Sequence, residues 1–171
     1  MCSPYRTLLG EAFDSLPANV RRAHQVPLVA EGTLDVEHGN HWLTPLMIQL
    51  MKLPGAGRGQ RVRLELIEAG PDVEWMRRIG SSVLRTRQRA IGRRLVEYNG
   101  IGWIAFELAV ADDSLVYRQL SIGLGRVVIP SRISPHVRAR VSPAAMGWRV
   151  EVNVTWRAHL VCRYDGVLGL I

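Results

Sequence analysis

The sequence contains little cysteine and almost no lysine, and both shortages narrow what the protein can be. Its 171 residues include two cysteines, Cys2 and Cys162, which show no motif spacing. We therefore expect reduced thiols, no disulfide framework and a cytoplasmic protein. Lys52 is the only lysine beside 21 arginines. Codon usage in a GC-rich genome produces the same bias, so the arginine content alone does not indicate a function.

Long apolar runs and targeting signals are also missing. No stretch reaches the roughly 18 apolar residues of a membrane-spanning helix. The opening "MCSPYRTLLGEAFDSL" lacks the basic start and the continuous apolar run of a secretory signal. The sequence therefore predicts neither a transmembrane segment nor secretion.

The chain carries none of the short motifs that usually identify an enzyme. It has no G-x-S-x-G, no phosphate-binding P-loop, no G-x-G-x-x-G and no zinc ribbon. Residues 35–41, "DVEHGNH", could form half of a metal site, but no second cluster of ligands follows. A turn with a helix cap explains this segment better. We therefore predict no cofactor, no metal site and no catalytic residues.

Composition and length favour a single globular domain over residues 1–171. Apolar residues make up 47% and charged residues 22%, which is typical of folded proteins. A chain of this length buries a substantial core without disulfides. The apolar pattern is mainly helical over residues 1–53 and alternates over residues 60–171, which indicates an antiparallel sheet.

The amino-terminal part predicts two short helices and one extended segment. Ser3 and Pro4 suit a helix start, and an apolar stripe then continues to Leu16 before Pro17 ends it. A second short helix is predicted up to His24. Residues 28–37 look extended, with Gly32 marking a bulge or a close backbone approach.

Residues 41–53, "HWLTPLMIQLMKL", form the most apolar segment. Only Thr44, Gln49 and Lys52 are polar, and they fall within about 140° of a helical wheel. The pattern favours a buried core helix. A lid over a pocket, or a face for a partner protein or a membrane surface, is the alternative hypothesis.

Alternation of apolar and polar residues dominates from residue 60 onward. Strand-like segments follow one another, with turn signals between them, at 83–91, 93–98, 101–110, 115–122, 126–129 and 136–142. The alternating run 150–164 would measure about 50 Å as one strand, so we expect a bend, a bulge or two strands. The predicted class is α+β, with N-terminal helices packed on a strongly curved antiparallel β-meander or incomplete β-barrel of about 7–9 strands.

Positive charge is concentrated in residues 77–94, "RRIGSSVLRTRQRAIGRR". This stretch holds seven arginines and no acid, while basic and acidic residues balance elsewhere, so it carries the whole formal excess of +7. A solvated strand face and an anion-binding patch are both compatible with it. Nucleic acid is not favoured, because no recognition motif accompanies the charge.

Alternation divides these arginines into two groups. One face of the strand 83–91 carries Arg85, Arg87 and Arg89, whereas Arg77 shares a face with Trp75 in an otherwise apolar pattern. A hairpin through residues 80–82 would bring both groups to one surface in one of its registers. On an apolar face, Arg77 must pair with an acid, reach an edge or meet a ligand. The candidate internal partners are Glu65, Glu97 and Glu107.

The leading functional hypothesis is non-catalytic binding of a small, partly apolar anion on the curved sheet, with the segment 41–53 covering it. Its predicted ligand-binding residues are Arg77, Arg85, Arg87, Arg89, Trp75, Trp103, Trp156 and Tyr164. The alternative is an interaction module that docks through the helix 41–53 on a protein or membrane surface. An enzyme of unknown reaction is the third hypothesis.

The order of several short motifs resembles a known family. The chain contains "LLGEAFDSLPANVRRAH" (8–24), "EWMRRIG" (74–80), "RRLVEYNG" (93–100), "SLVYRQL" (114–120) and "CRYDG" (162–166). In this order they resemble the bacterial family called domain of unknown function 4166. Its members occur alone or behind a saccharopine-dehydrogenase-like nucleotide-binding domain. The resemblance therefore implies, by analogy, a ligand-handling or partner role near such an oxidoreductase, and it implies no active site.

Overall fold

A computed structural model describes residues 3–171, so Cys2 and its predicted reduced state lie outside the described residues. Four short helices are present: α1 (Pro4–Leu9), α2 (Glu11–Asp14), α3 (Ala18–Arg22) and α4 (Thr44–Met51). The strands are β1 (Leu28–His38), β2 (Gly57–Ala69), β3 (Asp72–Ile79), β4 (Ser82–Ile91), β5 (Arg94–Asn99), β6 (Gly102–Ala111), β7 (Ser114–Leu124), β8 (Val127–Val128), β9 (His136–Ala144), β10 (Gly147–Trp156) and β11 (His159–Leu170).

Ten of the strands form a closed antiparallel barrel. Their order is β6-β5-β4-β3-β2-β1-β11-β10-β9-β7, and pairing of β6 with β7 closes the ring. The short β8 pairs only with the end of β7. The predicted α+β class is correct, but the expected incomplete barrel of about 7–9 strands is not. Closure satisfies the backbone groups that two open edges would leave unpaired.

β1 accounts for part of the difference between the expected and the observed number of strands. It lies between β2 and β11, so the sheet begins within the segment 1–53 rather than at residue 60. Gly32 makes a close backbone approach, as predicted, because a Cβ atom there would lie 2.0 Å from the carbonyl oxygen of Val167. The predicted extended segment 28–37 is thus an integral barrel strand.

The long alternating run near the carboxyl terminus is divided into two strands. β10 and β11 meet in a tight turn at residues 157–158, where Arg157 has a positive φ of 53°. The side chains of Trp148, Val152 and Val154 are buried inside the barrel. Division into two strands is one of the three arrangements that the sequence predicted. A single strand of that length would extend beyond the barrel.

Helices α1–α3 close the barrel end at which β1 begins. The predicted first helix is interrupted at Gly10, which has a φ of 55°, so α1 and α2 are separate. The helical segment 4–24 has seven buried side chains at this end: Pro4, Tyr5, Phe13, Leu16, Val20, Ala23 and His24. The Asn19 amide donates a hydrogen bond to the Ala144 carbonyl at 3.1 Å, which ties α3 to the turn between β9 and β10.

Helix α4 follows the end of β1 and therefore lies at the opposite end of the barrel. Met47, Ile48 and Met51 pack against the core, but Leu46 and Leu50 are exposed. The predicted buried core helix is therefore wrong. A closed barrel offers no second layer to cover the outer side of this helix. Across residues 3–171, no helix has both the length and the apolar character needed to cross a membrane.

Candidate functional site

The interior of the barrel holds a cavity of about 520 Å³. Ala23 and His24 lie at its closed end, while Met47 and Leu50 of α4 lie at the other. Its wall is mainly apolar and includes Leu34, Val62, Leu64, Phe106, Val137 and Val152. The volume falls within the range of about 300–1,000 Å³ that is usual for small-molecule sites.

A polar cluster lies on the cavity wall. Nη1 of Arg77 donates hydrogen bonds to Oγ1 of Thr86 at 3.0 Å and to Oε1 of Glu97 at 3.2 Å. Nε2 of Gln88 donates to Oε2 of the same carboxylate at 2.8 Å. The hydroxyl of Tyr5 in α1 donates to Oε1 of Gln88. One continuous network therefore joins the helical plug, formed by α1–α3, to strands β3, β4 and β5.

Arg77 and Glu97 form a largely buried ion pair. Their side chains are 17% and 18% exposed, and the guanidinium carbon lies 4.7 Å from the centre of the Trp75 ring. Burial lowers the pKa of Arg77, but the attraction of Glu97, the smaller contributions of Tyr164 and Tyr5 and the hydrogen bond to Glu97 together outweigh it, so the pKa is raised overall. Arg77 therefore stays charged, and the pair is neutral as a whole. Of the three expected solutions for Arg77, namely an acid partner, an edge or a ligand, the structure shows an acid partner, Glu97.

Neutral polar groups surround this pair. Burial raises the pKa of Tyr164 to about 12, and burial lowers the pKa of His24 to about 4. Nδ1 of His24 lies 2.8 Å from the carbonyl oxygen of Val20, which requires a proton on Nδ1. Within the described chain, Nε2 of His24 and Nε1 of Trp75 have no hydrogen-bond partner. Both side chains line the cavity.

Arg85, Arg87 and Arg89 lie on the outer face of the barrel. The two-residue turn between β3 and β4 pairs Arg77 with Leu84, and Arg85 with Met76. Directly paired residues share a face of a sheet, so Arg77 points inward and the other three point outward. The hairpin register that would bring Arg77 and these arginines to one surface is therefore not the one that forms.

The outer arginines have acidic partners on β3. Arg85 and Arg87 both contact Glu74, the latter through Nε at 3.4 Å from Oε2. Arg89 pairs with Asp72. Arg85 and Arg87 are exposed and Arg89 is half-buried, so the hypothesis of a solvated strand face describes their placement.

Three of the four predicted aromatic residues line the cavity: Trp75, Trp103 and Tyr164. The missing side chain of Gly123 leaves room for Trp103, whose ring would lie 2.4 Å from a Cβ atom there. Trp156 is not among the lining residues. Its Nε1 donates to the carbonyl oxygen of Ile133 at 3.0 Å, and its ring lies beside His41.

Several residues of the cluster were not predicted as site residues. Thr86 and Gln88 occupy the face of β4 opposite the outer arginines, so a known hairpin register would have identified them. Glu97 was predicted only as a partner for Arg77. Nothing in the local pattern distinguishes His24, because its position depends on how the plug enters the barrel.

Within the described residues, neither metal-ligating side chains nor the thiol of Cys162 forms a second candidate site. Within residues 3–171, no group of three or more His, Cys, Asp or Glu side chains could hold a metal ion. Cys162 is a free, buried thiol, and burial raises its pKa to about 12. Such a thiol is not activated as a nucleophile.

Comparison with family models matches residues 16–168 to the family described as Domain of unknown function (DUF4166). This confirms the resemblance found in the sequence motifs. No curated protein and no solved structure matches the chain.

Proposed function

The chain belongs to the DUF4166 family, and we propose that its barrel binds a small, mainly apolar molecule with one carboxylic acid end. The proposed function is binding without catalysis. The observation that carries this proposal is the apolar cavity of about 520 Å³ with a single ion pair on its wall. Small ligands typically bind in such a setting, where apolar walls supply affinity and a few polar groups fix orientation.

The apolar wall selects the body of the ligand. Each methylene group moved from water into such a wall contributes about 0.8 kcal/mol. The polar end is best received at Arg77, because Thr86 and Glu97 use only Nη1 of its guanidinium group. The N–H groups on Nε and Nη2 form no hydrogen bond to the described residues and would donate to a ligand oxygen.

The charge balance of the cavity determines how an acid would enter. Glu97 already neutralises Arg77, so a bound carboxylate would leave one negative charge unpaired in an apolar interior, which is costly. Burial lowers the pKa of His24, so this side chain supplies no cation near neutral pH. Burial raises the pKa of Tyr5, Tyr117 and Tyr164, so these phenols stay neutral. We therefore expect the acid to bind together with one proton.

Thermal-shift and calorimetric titrations with decanoic acid and decanol test the proposal. A ligand at 100 times its dissociation constant should stabilise the fold by about 2.7 kcal/mol. Ala139→Phe places a large ring in the cavity wall and should abolish the shift for both probes. Val83→Phe adds the same ring to an exposed outer position and should leave it unchanged. The absence of any stabilising probe, or binding that Ala139→Phe leaves intact, would refute the proposal.

Proton uptake on binding distinguishes decanoate from decanol. Calorimetry in buffers of different ionisation enthalpy should report about one proton taken up with decanoate and none with decanol. The affinity for decanoate should then rise about tenfold per unit as the pH falls from 8 to 6. Binding of decanoate without proton uptake would contradict the charge-balance argument, although the cavity would remain the binding site.

A further inference from the structure

Apolar side chains are exposed around the open end of the cavity. Leu50, Ile101 and Leu124 line the cavity, yet they are 72%, 78% and 51% exposed. They come from α4, from the turn between β5 and β6, and from the end of β7. These three residues define what we call the mouth rim.

The exposed apolar surface continues outward from the mouth rim. Leu46 and Leu50 are exposed and four residues apart, so they lie on one side of α4, and the exposed Trp42 lies in the turn just before this helix. Val127 and Val128 of β8 are exposed as well, next to the end of β7. An exposed apolar patch of this kind on a folded domain indicates an interaction surface.

Positive charge surrounds the same surface. Segments 39–60, 99–103 and 124–134 contribute to this end of the barrel, and they contain the four cations Lys52, Arg58, Arg126 and Arg132 but no acidic residue. The nearest exposed acids, Asp35 and Glu37, lie in the last part of β1. Lys52 lines the mouth, and Arg126 lies in the exposed turn before β8. Neither forms an ion pair with any residue from 3 to 171.

We propose that the mouth rim docks on an anionic lipid bilayer. The apolar side chains enter the boundary between headgroups and acyl chains, and the four cations contact the lipid phosphates. Docking goes beyond the proposed function, because it requires no bound ligand. It also gives the cavity direct access to the acyl region, so an apolar molecule could enter without crossing water.

The charge and the shape of this end favour a bilayer over other occupants. Two copies of the chain would bring two cationic rims together, and these repel each other. An acidic protein would need a surface complementary to three separate protruding segments. A fluid lipid surface adapts to such a rim and carries the opposite charge.

Flotation with lipid vesicles tests the docking. The full chain is mixed with vesicles of equal parts phosphatidylglycerol and phosphatidylcholine, and separately with phosphatidylcholine alone. We expect it to float with the anionic vesicles, at least tenfold more than with the neutral ones, and to be released by high salt. The cavity variant Ala139→Phe should still float, which separates docking from ligand binding.

Matched variants at the two ends of the barrel locate the docking surface. Ile101→Ser at the mouth is compared with Met146→Ser in the turn between β9 and β10 at the plug end, where Met146 is 85% exposed. Arg126→Glu is compared with Arg93→Glu. Arg93 follows Gly92 in an exposed turn at the plug end. We expect about tenfold weaker flotation for each mouth variant and no change for either plug variant.

Three results would overturn the proposal. The first is no flotation with anionic vesicles. The second is an equal loss in the mouth and plug variants, which would indicate attraction by net charge alone. The third is a dimer in gel filtration that Ile101→Ser dissociates, because the rim would then be covered by a second copy. Circular dichroism of each variant verifies that the fold is retained.

Discussion

At the scale of residues, the interior ion pair places the strongest constraint on the barrel. Arg77 and Glu97 are held by Thr86 and Gln88 of β4, the strand between β3 and β5, so neither charge can turn toward water without breaking the network. A single replacement leaves the opposite charge buried and unpaired. Outside the barrel, Arg85 and Arg87 are exposed and share Glu74, so replacing either one leaves this carboxylate with a cationic partner.

Arg77→Met should therefore lower the free energy of unfolding by about 3–5 kcal/mol, because Glu97 loses the one cation with which it pairs among residues 3–171. Arg77→Met combined with Glu97→Gln should recover a large part of that loss. The matched outer variant, Arg85→Met, should cost no more than about 1 kcal/mol, since that side chain is 66% exposed. Urea denaturation measures all three. Equal costs inside and outside would show that the interior pair is not desolvated.

His24 should make the protein sensitive to mild acid. Its pKa is about 4 in the folded protein, lowered by burial, against about 6.5 in the unfolded chain. Below pH 6.5 the unfolded state takes up the proton first, so stability is full above pH 6.5 and falls until about pH 4. The loss amounts to about 3 kcal/mol.

Denaturation curves between pH 7 and pH 4 check this expectation. The pH dependence of His24→Gln should be weaker than that of the wild type by about that amount. His136→Gln alters an exposed histidine and should follow the wild-type curve. An unchanged slope in His24→Gln would mean that other groups cause the acid sensitivity.

At the scale of elements, a single turn decides which side chains lie inside. Alternation within β3 and β4 is visible in the sequence, and both faces of β4 were separated correctly. The pairing register between β3 and β4 depends on whether their turn has two or three residues. With Gly80 and Ser81 alone in the turn, Arg77 opposes Leu84. One more residue would place it opposite Arg85, which no alternation pattern can exclude.

The contact between β1 and β11 should tolerate no side chain at its closest point. A Cβ atom on Gly32 would lie 2.0 Å from the carbonyl oxygen of Val167, and one on Gly166 would lie 2.0 Å from that of Thr33. Gly32→Ala must push two barrel strands apart and should cost about 2–3 kcal/mol. Gly55→Ala meets only Ser82 at 4.0 Å and should change stability by less than about 0.5 kcal/mol. Thermal denaturation compares them.

At the scale of the whole molecule, closure of the barrel was the feature least accessible to prediction. Strand positions follow from local alternation, so most strands and the α+β class were found. The pairing of β6 with β7 that completes the ring leaves no local mark, because either strand would alternate in the same way at an open edge. The exposed side of α4 was missed for a related reason: an apolar segment does not show whether anything remains to cover it.

The plug and the barrel should unfold together. Tyr5 and Phe13 of the plug belong to the same buried cluster as Trp75 and Trp148 of the barrel. Circular dichroism and tryptophan fluorescence should therefore report coincident transitions in urea, because neither part has a separate core. An earlier fluorescence transition would indicate that the plug detaches while the strands persist. Phe13→Ala should move both transitions equally.

Helices α1–α3 seal one end of the barrel, and this limits the traffic of any guest molecule. A bound molecule cannot pass through the barrel, because one end is sealed. It must enter and leave through the same opening. Occupancy is then exclusive, and exchange must wait for departure. Under the proposed function, this arrangement favours storage and hand-over of a ligand over conduction.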